Sequence, residues 1–531
     1  MTTEPATEPA TGPADAAATD AATANGAPGI EDVERAAERS ARGGDPERWP
    51  DKLPVRDRLN VLFDPGSFVE DGLLATAAAD PHLPADGVIT GVGRVEGRPV
   101  AVIAHDFTVK AGSWGELTCE KQIRILERAD RDLLPVVYLV DSAGGRLTDQ
   151  MGFFPGRRGA SAIFNLQVRL SGRVPQLCCL HGPSAAGGAY MPAFCDWVGM
   201  VEGNASMYLA SPRVAEKVTG EHTTLESMGG AMMHAEVSGC GDEVFDEDWE
   251  AIAAARLLLS YLPDDFRSAP ARAGSVEPER AEWPDGLVPV DPNVAYDVRD
   301  VVDRLVDGGT FFEIKARWAQ ELVTGLARLE GRVVGIVANQ PTVRSGAIFV
   351  DSADKAARFI SLCDAFNVPL VFLQDVPGFM VGVEVERQGI IRHGAKMIAA
   401  MASAEVPKYT VVLRKAYAAG YYAMCAPGFE PRATLALPTA TIGPMSAEAS
   451  VNAVYANKVA AITDEAERAA FVAARTAEQR ADINLLRMGS DLVVDAVVPP
   501  ARLRAELSAR MVDADRWTRE PGRRHHLISP V

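Results

Sequence analysis

The chain has 531 residues, 47% hydrophobic and 24% charged, with a formal net charge of −19. That length exceeds what one compact core supports and implies roughly two to four folding units. Strong acidity argues against nucleic acid or anionic membrane as a partner, since both reward a basic face, and no run is apolar and long enough to span a bilayer.

Residues 1–45 read as an acidic tail rich in Ala, Thr and Pro, poor in the aliphatic side chains that offset ordering entropy, so disorder is expected there. The first basic residue is Arg35 and no apolar stretch follows the start, which speaks against a transit peptide or a secretory signal. Next, the amphipathic stretch Arg56 to Phe63 predicts a helix ended by the turn Asp64-Pro-Gly-Ser-Phe-Val-Glu70.

From Thr90 to Asp141 the chain resembles itself 234 residues later without a gap. Ile89 to Ala104 returns as Val323 to Ala338, each two strands around a Glu-Gly turn, and Lys121, Arg124 and Asp141 return as Lys355, Arg358 and Asp375. The leading helix and its turn repeat as well, at Asp300 to Glu313. A duplicated domain follows, with residues 46–290 as the first copy, 291–531 as the second, and the polar, Pro-rich segment Pro263 to Asp291 as linker.

Within each copy strands alternate with helices, which predicts an α/β fold. Leu134 to Asp141 and Val368 to Asp375 are apolar runs ending in an acid, as for strands covered on both faces. Each gives way to a Gly-rich turn, Ser142-Ala-Gly-Gly-Arg146 or Val376-Pro-Gly-Phe379. After the next apolar run in each copy comes a loop of small residues, Gly182 to Ala193 and Lys415 to Met424. Ligands of open α/β sheets sit beyond the carboxyl ends of strands, so turns and loops should gather on one rim. Bare backbone there either lets a helix pack closely on a strand or presents N–H groups to a developing oxyanion; two such loops suggest two negative charges to stabilise.

Together these motifs, with His105-Asp-Phe-Thr-Val109, Gly389 to Lys396 and Arg414-Lys-Ala-Tyr417, resemble the carboxyltransferase (β) subunits of biotin-dependent acyl-CoA carboxylases, such as the propionyl-CoA and 3-methylcrotonyl-CoA enzymes, from about Arg56 to the carboxyl end. The resemblance implies two tandem crotonase-like (ClpP/crotonase) ββα-superhelix domains, an acyl-CoA side in the first and a biotin side in the second, with the active site between one protomer's amino domain and another's carboxyl domain. It further implies that carboxybiotin releases CO2 in the site, that the biotin enolate deprotonates the acyl-CoA, and that the thioester enolate attacks the CO2. The catalytic groups carried over are the amides of Ala186 and Gly187, facing the thioester oxygen, and those of Ala419 and Gly420, facing the biotin ureido oxygen. Where related chains often have Gly-Gly this one has Ala-Gly, a mild departure because an N–H does not depend on a methyl group.

Around these, Gly144, Gly145, Arg146, Gly188, Tyr190, Tyr422, Lys110, Arg344, Arg392 and Lys396 are candidates to bind substrate, the cations toward CoA phosphates or else as structural ion pairs. Tyr422 falls where propionyl-type enzymes often carry Asp at a specificity position, and either lines an acyl pocket or packs an interface. Asp141 and Asp375 are expected to cap turns, and His181 and His393 to be packed or hydrogen-bonded, with no metal. Ser142 and Ser184 lack a triad partner set and the Gly-x-Ser-x-Gly elbow of a hydrolase. The seven cysteines include no Cys-x-x-Cys, so reduced thiols in a cytoplasmic protein are expected.

No ATP-grasp pattern or biotin-bearing module is found; Gly394-Ala-Lys-Met397 lies in an apparent helix and lacks the flanking Met of a biotinylation site. A biotin carboxylase/biotin carboxyl carrier α subunit is therefore the expected partner, the β chains forming a dimer-built hexamer, with an α6β6 complex implied by the family. Rival readings are a biotin-dependent decarboxylase or transcarboxylase subunit and an enoyl-CoA hydratase or isomerase, the last needing carboxylates that the 182–193 loop lacks.

Overall fold

The computed structural model describes residues 29–50, 52–482, 484–517 and 526–530. These form two eight-stranded sheets of the same design. The first contains β1 (Val69–Asp71), β2 (Val88–Val95), β3 (Arg98–His105), β4 (Val136–Ser142), β5 (Gln176–Ala185), β6 (Trp197–Val201), β7 (Ser206–Tyr208) and β8 (Glu243–Phe245). The second contains β9 (Phe312–Ile314), β10 (Leu322–Leu329), β11 (Arg332–Asn339), β12 (Leu370–Val376), β13 (Lys408–Tyr417), β14 (Ala433–Ala436), β15 (Thr441–Gly443) and β16 (Ala496–Val497). Opening strands pair antiparallel, and β3 to β6 and β11 to β14 pair parallel.

Each hairpin turns on a Glu-Gly pair with both residues left-handed, Glu96 and Gly97 at φ 51° and 81°, Glu330 and Gly331 at φ 50° and 77°. That geometry matches the twist of the flanking strands, and glycine takes the second position without a steric penalty. The central strands β4 and β12 are buried along their whole length, which explains their unbroken apolar sequence. The helices Glu116–Asp132 and Val350–Ala365 cross over between β3 and β4 and between β11 and β12, each with its apolar stripe against the sheet.

The duplication includes an irregularity that spacing alone does not reveal. In β5 the residues pairing with Val140 and Ser142 of β4 are Leu180 and Ser184, so His181 to Pro183 stand opposite the single residue Asp141. In β13 Leu413 to Lys415 stand opposite Asp375 in the same way, between the pairs Gln374 with Val412 and Val376 with Ala416. Beyond each bulge the strand changes partner: β5 passes from β6 to β7, and β13 from β14 to β15. Its last residues are thereby re-aimed before the small-residue loop begins.

One apolar cluster spans both halves, and two further clusters lie within the second half and its linker. Trp197 of the first packs against Phe312 of the second with ring centroids 6.3 Å apart. Lys315, fully buried, reaches from the second half to Asp242 of the first at 3.1 Å and donates to the Gly239 carbonyl. Near the carboxyl end, Ile528 is buried against the first half, its N–H donating to Ser171 Oγ at 3.1 Å. The segment 263–291 is more than a spacer: Ala273 donates to the Gly331 carbonyl at 2.9 Å, and Arg414 bonds to the Asp291 carbonyl at 2.8 Å.

The expected disorder over 1–45 is corrected at its end, where Ile30–Arg42 is a helix, while residues 1–28 lie outside the described part. Asp32 accepts from the N-cap Gly29 N–H at 2.9 Å, acidic residues fill the first turn and Arg39 and Arg42 the last, satisfying end groups and complementing the dipole. Gly44 then donates to Thr108 Oγ1 at 2.9 Å and ties this segment to the first half.

Candidate active site

Both small-residue loops begin where a bulged strand ends. After β5 the chain enters the short 3-10 turn Ala186–Ala189 through Ala186 at φ 54°; after β13 it enters the helix Ala418–Ala423 through Ala418 at φ 51°. A left-handed alanine costs roughly 1 kcal/mol, and the same backbone flip at both strand ends shows that the turn into the loop is imposed by the fold. The first amides of each turn precede any residue that can bond back within it. Ala186, Gly187 and Ala419 lie at the surface, whereas Gly420 is buried. The duplicated loops thus place the N–H groups of Ala186, Gly187, Ala419 and Gly420 in the first turn of a short helical segment, at its positive end.

The neighbouring glycines divide in their packing. A Cβ at Gly187 would meet nothing within 4 Å, and one at Gly188 would reach only ordinary contact with Ser184 Oγ at 3.8 Å and Trp114 at 3.9 Å. A Cβ at Gly420 would lie 2.7 Å from Val376 and 2.8 Å from the Gly378 Cα, so here the small residue also serves close approach to the turn after β12. Ser184 Oγ donates to the Gly188 carbonyl at 2.9 Å and fixes the first loop.

The Gly-rich turns are held to the same rim by matched bonds. Trp114 N–H donates to the Gly144 carbonyl and Arg146 N–H to the Trp114 carbonyl, each at 2.8 Å. In the second half Ile348 N–H donates to the Gly378 carbonyl at 3.1 Å and Met380 N–H to the Ile348 carbonyl at 2.8 Å. Gly145 packs on the Phe153 ring, where a Cβ would lie 2.3 Å away. Trp114 and Ile348 were not singled out from the sequence, although they occupy equivalent positions in the repeat.

Of the candidate cations, Arg146 points inward: it pairs with Asp86, donates to the Asp86 carbonyl at 3.0 Å and to Ser113 Oγ at 3.2 Å. Lys110 and Arg344 lie exposed in equivalent left-handed turns, with the Arg344 guanidinium 4.4 Å from the Phe349 ring centroid. Arg392 is exposed and Lys396 pairs with Asp354 at 2.7 Å, both on the helix Ile390–Ser403, so Gly394 to Met397 lies mid-helix. Tyr190 and Tyr422 are 46% and 54% exposed beside their amide pairs, large rings free to meet a ligand or a neighbouring subunit.

The two acids that end the central strands are buried ion-pair centres, which corrects their expected role as turn caps. Asp141 accepts from Lys52 at 2.8 Å and from Arg58 at 3.2 Å, and Arg58 reaches Asp248 at 3.5 Å. Asp375 accepts from Arg414 Nε at 3.0 Å and from the Lys415 N–H at 3.2 Å, with Lys415 Nζ at 3.5 Å. A buried carboxylate needs such compensation, and the cations were invisible in the repeat because they come from non-equivalent positions. His181 lies 2.5 Å from Asp248, and burial holds its imidazole near pKa 4; His105, accepting from Trp114 Nε1 at 3.1 Å, is held near 4 for the same reason. His393 contacts Asp354 at 2.8 Å. Among the described residues no cluster of three His, Cys, Asp or Glu could hold a metal, and no helix is long and apolar enough to cross a membrane. A cavity of about 800 Å³ between the helices Ala456–Ala461 and Glu465–Asp482 is lined by none of the four amide residues; bordered mainly by aliphatic side chains, it offers no convergent set of reactive groups.

The carboxyl transferase domain family profile matches residues 46–528. An uncharacterized carboxylase of Bacillus subtilis (strain 168), YngE, is 54% identical over 487 residues, covering 91% of this chain and 95% of that one. The methylmalonyl-CoA carboxyltransferase 12S subunit of Propionibacterium freudenreichii subsp. shermanii is 40% identical over 487 residues, covering 89% and 91%. Among solved structures, a transcarboxylase 12S hexamer with methylmalonyl-coenzyme A and methylmalonic acid bound superposes with a TM-score of 0.86 at 37% identity, over 96% of this chain and 99% of that one.

Proposed function

Because the chain belongs to the carboxyl transferase domain family, and is an enzyme of crotonase-like fold within it, we propose that it is the carboxyltransferase subunit of a biotin-dependent acyl-CoA carboxylase. It moves a carboxyl group from carboxybiotin, carried by a biotin carboxylase/carrier partner, to the α-carbon of an acyl-CoA. The observation that carries this reading is the pair of duplicated strand ends, each delivering two first-turn amides to the rim.

Removing a proton beside a thioester puts negative charge on the carbonyl oxygen. Ala186 and Gly187 donate to that oxygen as the charge grows, and Ala419 and Gly420 donate to the ureido oxygen of biotin. Donors fixed at the start of a helical turn need no reorganisation during the reaction, the feature that makes such sites effective. Biotin, when bound, supplies the carboxyl group and the basic atom. No side chain of this chain need take the proton, which agrees with Asp141 and Asp375 being buried and ion-paired. The residues fit the group in one further respect: Ala419 and Ala418 are exposed and followed by the exposed ring of Tyr422, leaving room for a flat bicyclic ligand.

Lys110, Arg344, Arg392 and Lys396 are the cations that remain for CoA phosphates, with Gly144, Gly145, Gly188 and Tyr190 forming the wall beside the thioester. Tyr422 sets the apolar limit of the acyl pocket. The working assembly is a cytoplasmic hexamer in which one protomer's first half faces another's second half, with no metal in the reaction. The relatives leave the transcarboxylase and decarboxylase directions open, since both use the same two amide pairs.

Incubating the purified chain with an acyl-CoA, ATP and labelled bicarbonate should yield no carboxylated product until a biotin carboxylase and biotinylated carrier are added. Product formed by this chain alone would overturn the proposal. An ATP-independent exchange of label between a carboxylated CoA ester and a second acyl acceptor would instead identify the transcarboxylase.

A further inference from the structure

The bulges in β5 and β13 need something to hold them open, and both have a buried carboxylate at the same place. In a regular parallel pair one residue faces one residue; here three face one, which leaves backbone groups of the bulged strand without ladder partners and would let the strand relax back into register. The fold prevents this differently in its two halves. In the second, Asp375 accepts from the Lys415 N–H at 3.2 Å and from the Arg414 side chain at 3.0 Å, so two consecutive residues of the bulge are drawn onto one carboxylate. Arg414 then extends to the Asp291 and Val294 carbonyls at 2.8 and 2.7 Å and lies over the Tyr296 ring at 5.1 Å, anchoring the bulge to the segment before the leading helix of that half.

In the first half the carboxylate wedge lies directly against backbone. A Cβ on Gly182, the middle residue of the bulge, would lie 1.9 Å from Asp141 Oδ1 and 2.6 Å from Lys52 Nζ, so the acid and its cation occupy the space a side chain would take. On one side of Gly182, His181 is held by Asp248, itself linked through Arg58 to Asp141. Here the cations, Lys52 and Arg58, come from the segment before and within the leading helix, whereas in the second half Arg414 of the bulge reaches out to that segment.

We propose that Asp141 and Asp375 are positioning residues, each wedging open the bulge that aims its own pair of loop amides, Asp141 for Ala186 and Gly187 and Asp375 for Ala419 and Gly420. This deepens the carboxyltransferase reading and rests on it for its catalytic consequence; its structural content stands apart. Three residues separate Gly182 from Ala186 and three separate Lys415 from Ala419, with strand pairing to β7 or β15 in between, so displacement of the bulge is carried along a rigid segment to the donors. The carboxylates touch neither substrate nor biotin in this account.

Two isosteric variants, Asp141→Asn and Asp375→Asn, test the proposal in the full-length oligomer, with Lys315→Met as a control that also breaks a buried ion pair but lies away from both bulges. Amide hydrogen exchange is read on peptides covering 182–190 and 414–424. Asp141→Asn should quicken exchange at least tenfold in the first peptide and leave the second unchanged, Asp375→Asn should do the converse, and Lys315→Met should change neither relative to the rest of its sheet. In turnover assays with the biotinylated partner, each Asn variant should lose about 10- to 100-fold in kcat with little change in the KM for acyl-CoA, as expected when transition-state contacts are misaligned. Equal loss of protection throughout the sheet, or unchanged exchange at both loops, overturns the wedge. If an Asn variant fails to assemble, Arg414→Lys, which keeps the charge and shortens the reach to the linker carbonyls, should show the same local effect on 414–424. An inactive wild type would refute the carboxyltransferase reading while leaving the exchange result to decide the wedge; full kcat in both Asn variants beside an active wild type refutes its catalytic role alone.

Discussion

Gly420 stands with its α-carbon so close to Gly378 that a Cβ would lie 2.8 Å from the Gly378 Cα, whereas Gly187, the glycine of the first amide pair, faces open space. The two glycines therefore report different things when replaced. Gly187→Val should fold and assemble as the parent does and lose carboxyl transfer by roughly 100-fold or more, because the isopropyl group keeps the thioester oxygen from the N–H with an effect on the scale of losing one oxyanion donor. Gly420→Val should lower the melting temperature as well, because Val376 and the turn after β12 must move to admit it. Parallel turnover and thermal unfolding of the two variants separate the effects; an active Gly187→Val protein would contradict the amide assignment.

The Lys315–Asp242 pair is a buried electrostatic tie between the halves. Lys315→Met leaves the Asp242 carboxylate deprived of its cation in an apolar interface, and removing one member of a buried pair costs about 3–5 kcal/mol. Urea unfolding should register that loss, and the double variant Lys315→Met/Asp242→Asn should recover part of it.

Arg146, read from the sequence as a candidate for CoA phosphate, is tied to Asp86 and Ser113. Arg146→Lys should therefore reduce stability by about 1–3 kcal/mol, as for a broken charged hydrogen bond, and shift the KM for acyl-CoA less than Arg392→Ala does. Steady-state kinetics on the two variants settle which cation meets the nucleotide.

His105 accepts from Trp114 with an imidazole that burial holds near pKa 4, below its ordinary 6.5. In the unfolded chain it takes a proton near 6.5, so stability is present above that pH and drains away as pH falls toward 4. Asp196, which burial raises to about 7, acts in the opposite sense over the same range, so the clean quantity is a difference between proteins. Wild type minus His105→Gln should fall by roughly 1.4 kcal/mol per pH unit between 6.5 and 4, measured by denaturant unfolding.

Tyr422, 54% exposed beside the second amide pair, should govern acyl length. Tyr422→Ala should shift kcat/KM between propionyl-CoA and a longer branched acyl-CoA by about tenfold, the worth of a methylene or two in an apolar pocket, in a competition assay. An unchanged ratio places the ring in packing alone.

The sequence disclosed the features that repeat and concealed those that do not. Period-two hairpins, unbroken apolar strands and the 234-residue offset are legible because both copies obey the same backbone rules, and Lys121 and Lys355 show it again, each buried and donating to the carbonyls of the segment packed over its helix. Asp141 and Asp375 were legible as equivalents, yet their ion-paired state was not, since Lys52 and Arg58 lie far off in sequence while Arg414 and Lys415 sit within the bulge itself. The bulge did leave a local trace, since His181-Gly182-Pro183 and Arg414-Lys415 interrupt otherwise apolar strands and Gly or Pro within a strand marks such irregularities, but composition alone does not give the register shift. Helix Ile30–Arg42 was submerged in the composition of the tail, although its capping Gly29 and Asp32 pattern is local and readable.

The most direct test of the central claim is transfer of label from a purified, carboxylated biotin carrier to acyl-CoA, in the absence of ATP, by wild-type protein and by Gly187→Val. Rapid passage of label to the CoA ester with wild type, and its retention on the carrier with the folded variant, is the result expected here. Label that stays on the carrier with wild type across a panel of acyl-CoA esters, or that moves equally well with Gly187→Val, would contradict the account.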